Sequence, residues 1–294
     1  MINIDNVYDT FRKARALKAA ITVIALLVLF ILPATSSYAE EKDPTGRDIV
    51  RQCGYKYPGK DQKSTFTVIL TDKQGNQKKS VYSRWWKDYQ GAKGVIDKMI
   101  LFTEFPPDAK GAAFMRIAYT PDMGKNADQW IYLPVLAKTR RVTIRDPGDS
   151  FLNSDLTHAD VSYHALDEED HHLLGVRNSQ GVDYYVIEST PKEGGARLYK
   201  KRVLWFTKTP NWDECVNVRI DYYDARGDLQ KEQHTEWQRV KDAWVWHKVL
   251  VRNIQTSHTS EFVISDVVID TGIEDRFFAE RTLKAGPDSA PIAK

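Results

Sequence analysis

The chain is 294 residues long, 42% hydrophobic and 11% aromatic, with 42 basic against 40 acidic side chains. Four of the basic residues (Arg12, Lys13, Arg15, Lys18) and two of the acidic ones (Asp5, Asp9) precede Glu40, so the rest of the chain holds 38 of each sign. This balance excludes the basic surplus of a nucleic-acid binder, and two cysteines without nearby ligand pairs exclude a cysteine-based zinc site.

The first element is a polar stretch carrying those four cations, then an apolar run Ala19–Leu32, Pro33 and the small-residue segment Ala34–Ala39. A positive flank, a short apolar core and a Ser-x-Ala ending are the three parts of a secretory signal. A spanning helix needs about 20 apolar residues, and this run has 14. Cleavage after Ala39 is therefore expected rather than a retained anchor. No cysteine stands at the cleavage point, so no lipid-anchored N-terminus is expected. The expected location is the periplasm. The expected organisation is a signal peptide over 1–39, one body over 40–285, and a disordered tail over 286–294 with two prolines.

Asp43-Pro44-Thr45 predicts a cap for a short helix running to about Cys53. From residue 63 onward, period-two alternation dominates. Phe66, Val68 and Leu70 share a face, and a turn at Gln74-Gly75-Asn76 leads into Val81–Trp86. Ala113, Met115, Ile117 and Tyr119 share a face of the next clear strand. Residues 121–172 break the pattern. Beyond them Val182, Tyr184 and Val186 alternate with Tyr185 and Ile187, and Val216, Val218, Ile220 and Tyr222 share a face. Turns at Ala225–Asp228 and Lys241-Asp242 separate strands near Glu232–Trp237 and Trp244–Ile254. Ile273–Leu283 predicts a second short helix.

Short turns between strands build an antiparallel meander, because parallel neighbours need long crossovers. Several strands, such as 182–187 and 244–251, are apolar on both faces. A sheet with one solvated face does not read this way. Helices, the sheet's own curl or a ligand must cover the second face. Cys53 and Cys215 admit either a disulfide in an oxidising compartment or two buried thiols.

The irregular segment holds two word-like stretches. One is Asp128-Gln129-Trp130-Ile131-Tyr132-Leu133-Pro134, followed by Lys138-Thr139-Arg140-Arg141-Val142; the other is Ser150-Phe151-Leu152-Asn153-Ser154-Asp155-Leu156-Thr157-His158-Ala159-Asp160-Val161. Their order and spacing resemble the outer-membrane lipoprotein-sorting protein family, the wider relatives of the periplasmic carrier LolA. The resemblance spans nearly all of the chain after the signal. It implies a mainly β fold: a strongly curved antiparallel sheet forming an unclosed β-barrel around an apolar cavity, with a few short helices as a lid. It also implies that a lipid or lipid-modified protein is carried between inner and outer membrane. The implied partners are an inner-membrane transporter of the resistance-nodulation-division type and an outer-membrane acceptor.

Within the two stretches, Trp130 and Tyr132 fall on one face of a strand, and Ile131 and Leu133 on the other. One pair is expected to line the cavity and the other the outer core. Arg140 and Arg141 are candidates for a lipid head group or for pairing with Asp155 and Asp160. The candidate cavity set is thus Trp130, Tyr132, Leu133, Phe151, Arg140 and Arg141. Their structural alternative is plain: aromatic core and Arg–Asp ties.

Other constellations carry less. His158, Asp160, His164, Asp167, Glu168, Glu169, Asp170, His171 and His172 crowd together, but no pair has a metalloprotease spacing; consecutive acids are expected in a solvated loop, and no metal is expected. Lys200-Lys201-Arg202 reads as a surface strand entrance or a docking patch. No Gly-x-Ser-x-Gly elbow, phosphate loop or dinucleotide fingerprint is present, so neither an enzyme nor a cofactor is expected. The rival to a carrier is a sensor or scaffold of the same fold. A carrier should have uniformly apolar cavity positions, and a scaffold a filled interior.

Overall fold

The computed structural model describes residues 43–142, 146–192 and 198–289. The expected signal peptide, residues 1–39, and the last five residues of the expected tail lie outside them. Among these residues a helix α1 (Gly46–Cys53) comes first. Thr45 caps it: the Asp48 N–H donates to Thr45 Oγ1, and the Thr45 N–H donates back to the Asp48 carboxylate. This reciprocal box is why the helix begins where the Asp-Pro-Thr signal put it.

Thirteen strands follow. In the first half they are β1 (Asp61–Thr71), β2 (Gln77–Asp88), β3 (Val95–Phe105), β4 (Ala113–Tyr119), β5 (Asp128–Leu133) and β6 (Lys138–Val142). In the second half they are β7 (Glu169–Ser179), β8 (Val182–Pro191), β9 (Lys201–Thr207), β10 (Asn217–Tyr223), β11 (Leu229–Val240), β12 (Ala243–Asn253) and β13 (Thr259–Ile269). A short helix α2 (Glu280–Ala285) ends the body. The helix expected over 273–283 is therefore shorter. Residues Ile273 to Ala279 run instead as an irregular strap with one 3-10 turn at Asp275–Phe277. Asp61 anchors the start of the strap: its buried carboxylate accepts from the backbone of Thr271, Gly272 and Ile273 and from the Thr271 hydroxyl, and Ile273, Phe277 and Phe278 then pack onto the sheet.

All strands join one antiparallel sheet in the order β6-β5-β4-β3-β2-β1-β13-β12-β11-β10-β9-β8-β7. The chain winds outward from β1 to one edge, crosses to the other edge, and winds back until β13 closes on β1. Residues 121–142, expected to break the meander, extend it instead as the β5–β6 hairpin.

The sheet is curled. His158 touches Gln129 of β5 at 3.2 Å, while Asp160 binds Lys231 of β11 at 2.6 Å. Those strands are seven steps apart, about 34 Å in a flat sheet at ~4.8 Å per strand. Two residues of chain span at most about 7 Å, so the sheet must wrap the segment that touches both. Bulges supply the bend: seven of the twelve strand pairings slip register, including Glu236–Trp237 against Trp246–Lys248. The edges β6 and β7 do not pair, so the barrel is unclosed.

Both faces are covered, as the double-sided apolar strands require. Inside, Phe66, Val68, Leu101, Val249, Val251, Phe262 and Ile264 form one core. Outside, Trp85, Ile100, Phe102 and Met115 pack under Ile273, Phe277, Phe278 and Leu283 of the C-terminal strap and α2. A third cluster joins α1 to β8 and β9 through Ile49, Tyr185, Ile187, Leu204 and Phe206. There Cys53 and Cys215 form a disulfide with Cα atoms 5.2 Å apart, which decides between the two readings of the cysteines.

Candidate ligand cavity

Between edge β6 and edge β7, residues 150–160 lie in the interior. The second word-like stretch makes a tight knot, with the Phe151 N–H donating to Leu156 O at 2.8 Å. Leu152 and Asn153 adopt φ of 53° and 60° to turn it, a left-handed conformation rare for leucine. Phe151 and Leu156 are buried in the inner apolar core. Asp155 pins the knot: its N–H donates to Ser260 Oγ at 2.9 Å, that hydroxyl donates to Asp155 Oδ2 at 2.6 Å, and His258 Nδ1 lies 2.7 Å from the same oxygen. One half of the barrel is thus filled by the protein's own chain.

The other half is open. A cavity of about 500 Å³ lies between α1, residues 160–166 and the inner face of β7–β12, within the ~300–1,000 Å³ range of small-molecule sites. Leu204, Phe206, Ile220, Trp237 and Trp246 form an apolar wall. The polar end carries Asp160, Glu169, Arg202, Tyr222 and Gln233. The expectation of uniformly apolar cavity positions is corrected here.

The reason is structural. A chain crossing an interior buries backbone groups that need partners, and Lys231 supplies one. Its ammonium donates to the Asp155 carbonyl at 2.7 Å and to Asp160 Oδ2 at 2.6 Å, with both charged side chains at most 2% exposed. Tyr199 OH adds a 2.9 Å bond to Asp160. Burial, then the Asp160 charge, pushes the Tyr199 and Tyr222 hydroxyls upward, so both stay protonated donors. Arg202 donates to both oxygens of Glu169, at 3.2 and 2.5 Å. Burial opposes its charge, yet Glu169, with Tyr222 and Asp160 behind it, raises its affinity for the proton. Among the described residues no three His, Cys, Asp or Glu side chains converge as metal ligands.

Of the six candidates from sequence, Phe151 alone enters the inner core. Trp130 and Tyr132 pack outside, against the cluster made with the C-terminal strap. Leu133, the last residue of β5, is 39% exposed, and Val135 in the turn after it is 91% exposed. Arg140 is exposed. Arg141 pairs with Asp128 and lies over the Trp130 ring, not with Asp155 or Asp160. None of the six lines the 500 Å³ cavity.

Sequence reasoning missed the polar end. Glu169 was expected in a solvated acidic loop, but it starts β7 and is buried on Arg202. Arg202 likewise leaves the surface run Lys200-Lys201-Arg202, while Lys201 pairs with Glu188. Lys231, Gln233 and Thr235 alternate as a solvated face would; the partner of Lys231, Asp160, is 71 residues away, and Gln233 accepts from Tyr222 of the neighbouring strand. The one available signal was that Trp237 continues the same face.

Residues 96–285, more than half of the chain, match the model of a family described as "Uncharacterized protein". No curated protein matches the chain. Among solved structures, a DUF1329 family protein from Desulfovibrio piger superposes with a TM-score of 0.70 at 24% identity, covering 81% of this chain and 97% of its own. A putative outer membrane lipoprotein-sorting protein domain from Vibrio parahaemolyticus gives 0.68 at 25% identity, covering 81% and 98%. A LolA superfamily protein from Nitrosomonas europaea gives 0.58 at 15% identity, covering 81% and 99%. The fold expected from the two sequence stretches, a LolA-like unclosed barrel, is the fold found.

Proposed function

We propose, for a chain that belongs to the family whose model its residues 96–285 match, the work of a periplasmic carrier. It holds a lipid, or the acyl part of a lipid-modified protein, in the hollow of its sheet and moves it between inner and outer membrane. The observation that carries this reading is the cavity of about 500 Å³ with its wall of Leu204, Phe206, Ile220, Trp237 and Trp246. The fold shared with the Vibrio lipoprotein-sorting domain supports it.

Each acyl methylene left in water costs about 0.8 kcal/mol, and a dry concave wall removes that cost. A polar end lets the head group remain hydrogen-bonded. Export by residues 1–39, followed by cleavage, frees the carrier from the membrane that made it. An inner-membrane transporter of the resistance-nodulation-division type is the proposed donor, and an outer-membrane protein the acceptor. No catalytic step belongs to this reading.

The test is native mass spectrometry and lipid extraction of the protein purified from a periplasmic fraction. Bound lipid, released on denaturation, is expected. An empty protein that also fails to take up a fluorescent fatty acid would sink the carrier. A second reading has its own observation: the inner apolar half is filled by Phe151 and Leu156, as a non-catalytic sensor or scaffold that binds a protein partner would have it. The same experiment separates the two.

A further inference from the structure

The crossing segment has a second side. There a second hollow of about 410 Å³ opens between β3–β4 and the ends of β7, β8 and β9, sharing Glu169 and Arg202 with the first cavity. Arg116, on the inner face of β4, stands in its wall with its side chain only 7% exposed. A buried charge is normally both paired and hydrogen-bonded. Arg116 is neither in full. Its nearest carboxylate oxygen, Asp97 Oδ1, is 3.8 Å away, and that oxygen makes no hydrogen bond. Arg116 donates no side-chain hydrogen bond among the described residues.

The neighbours do not answer this need. Arg84, whose charge also acts on Asp97, donates from Nη1 to Gln62 and Ser64. Glu169, on the same wall, is taken by Arg202. Glu168 is exposed at the rim. His158 lines the hollow with Nδ1 3.2 Å from Gln129 Nε2. Burial first, and then the Arg116 charge, lowers its affinity for a proton, so the positive field of Arg116 reaches into the hollow. The remaining lining is largely apolar, including Ala118, Pro147, Pro191 and Leu198.

We propose that Arg116 receives an anionic group, a carboxylate or a phosphate, in this hollow, with the apolar lining taking the hydrocarbon that the group heads. A planar guanidinium with free donors matches the two oxygens of such a group as a fork. For the hydrocarbon part the proposal rests on the carrier reading; for the anion it stands on the geometry of Arg116.

The test titrates the mature chain with hexadecanoic acid, with hexadecanol and with inorganic phosphate by calorimetry, in wild type, Arg116→Gln and Arg116→Lys. Wild type is expected to bind the acid at least tenfold more tightly than the alcohol. Arg116→Gln is expected to erase that preference with the alcohol affinity unchanged, and Arg116→Lys to keep part of it. Phosphate binding that disappears in Arg116→Gln, without an acid preference, would uphold the anion site and assign it to a free anion. Equal binding of acid and alcohol with no phosphate binding overturns the site while the carrier stands. No binding of any of the three overturns both. Because replacing a buried arginine risks unfolding, circular dichroism first checks that each variant keeps the wild-type fold; if Arg116→Gln does not fold, Arg116→Lys carries the comparison, and an acid preference that it keeps in full overturns the site.

Discussion

At the scale of single residues, the interior is held by charges whose partners lie far apart in sequence. Lys231 and Asp160 are the most buried of them. Removing one member of a buried pair leaves an uncompensated charge and costs about 3–5 kcal/mol. Lys231→Met is therefore expected to lose that much in urea denaturation, and Lys231→Met with Asp160→Asn to lose less than the single change. Equal losses would mean the two are not coupled. Asp97 behaves differently. Burial raises its pKa above the ordinary 3.8, against the opposing pull of Arg116 and Arg84. The native state then keeps a proton that the unfolded chain has released, so this contribution to stability is full below pH 3.8 and fades as pH rises through the folded value. Asp97→Asn should flatten the decline of Tm with rising pH and exceed wild type at pH 7; an unchanged slope would show that Asp97 does not set it.

At the scale of elements, α1 shows what could be read locally and what could not. Its start, at Thr45, follows from a capping box written within four residues. Its seat on β7 does not. Gly46 packs so closely that an added Cβ would lie 2.7 Å from Leu173 N and 2.8 Å from His171 O. Gly46→Ala must push the helix off the strand, at about 1–3 kcal/mol. The far end is fixed by the Cys53–Cys215 disulfide, across a separation of 162 residues. Losing a native crosslink of this kind costs roughly 2–5 kcal/mol, so Cys53→Ser with Cys215→Ser, and wild type in reductant, should show matching losses in denaturation midpoint. A variant as stable as the oxidised protein would make the bond incidental. Strands with alternating residues, such as β1 and β10, were legible for the same reason as the cap: the signal is local. β3 and β7 were not, because Met99–Phe102 is buried on both faces and Glu169 is buried only through Arg202.

At the scale of the whole molecule, the curl of the sheet follows from a sequence pattern, but the content of the barrel does not. Strands apolar on both faces predicted cover on the second face, and the covers are the C-terminal strap outside and residues 150–160 inside. The Ser-Phe-Leu-Asn-Ser-Asp stretch marks a knot of chain within the barrel rather than a lining of an empty one. This sets up a competition that separates the carrier from the scaffold. Phe151 touches Phe114 edge-on and shares the core with Leu156 and residues from both halves of the sheet. Phe151→Ala leaves a cavity there and should cost about 3–5 kcal/mol in the unliganded protein. In a carrier, the void adjoins apolar walls and adds room for a second acyl chain. A two-chain anionic lipid such as dipalmitoyl phosphatidylglycerol, binding only the native state, then restores stability in proportion to its occupancy. The thermal shift it produces should be larger in Phe151→Ala than in wild type. In a scaffold, the knot is core and nothing else: the variant loses the same stability, and the lipid returns none of it.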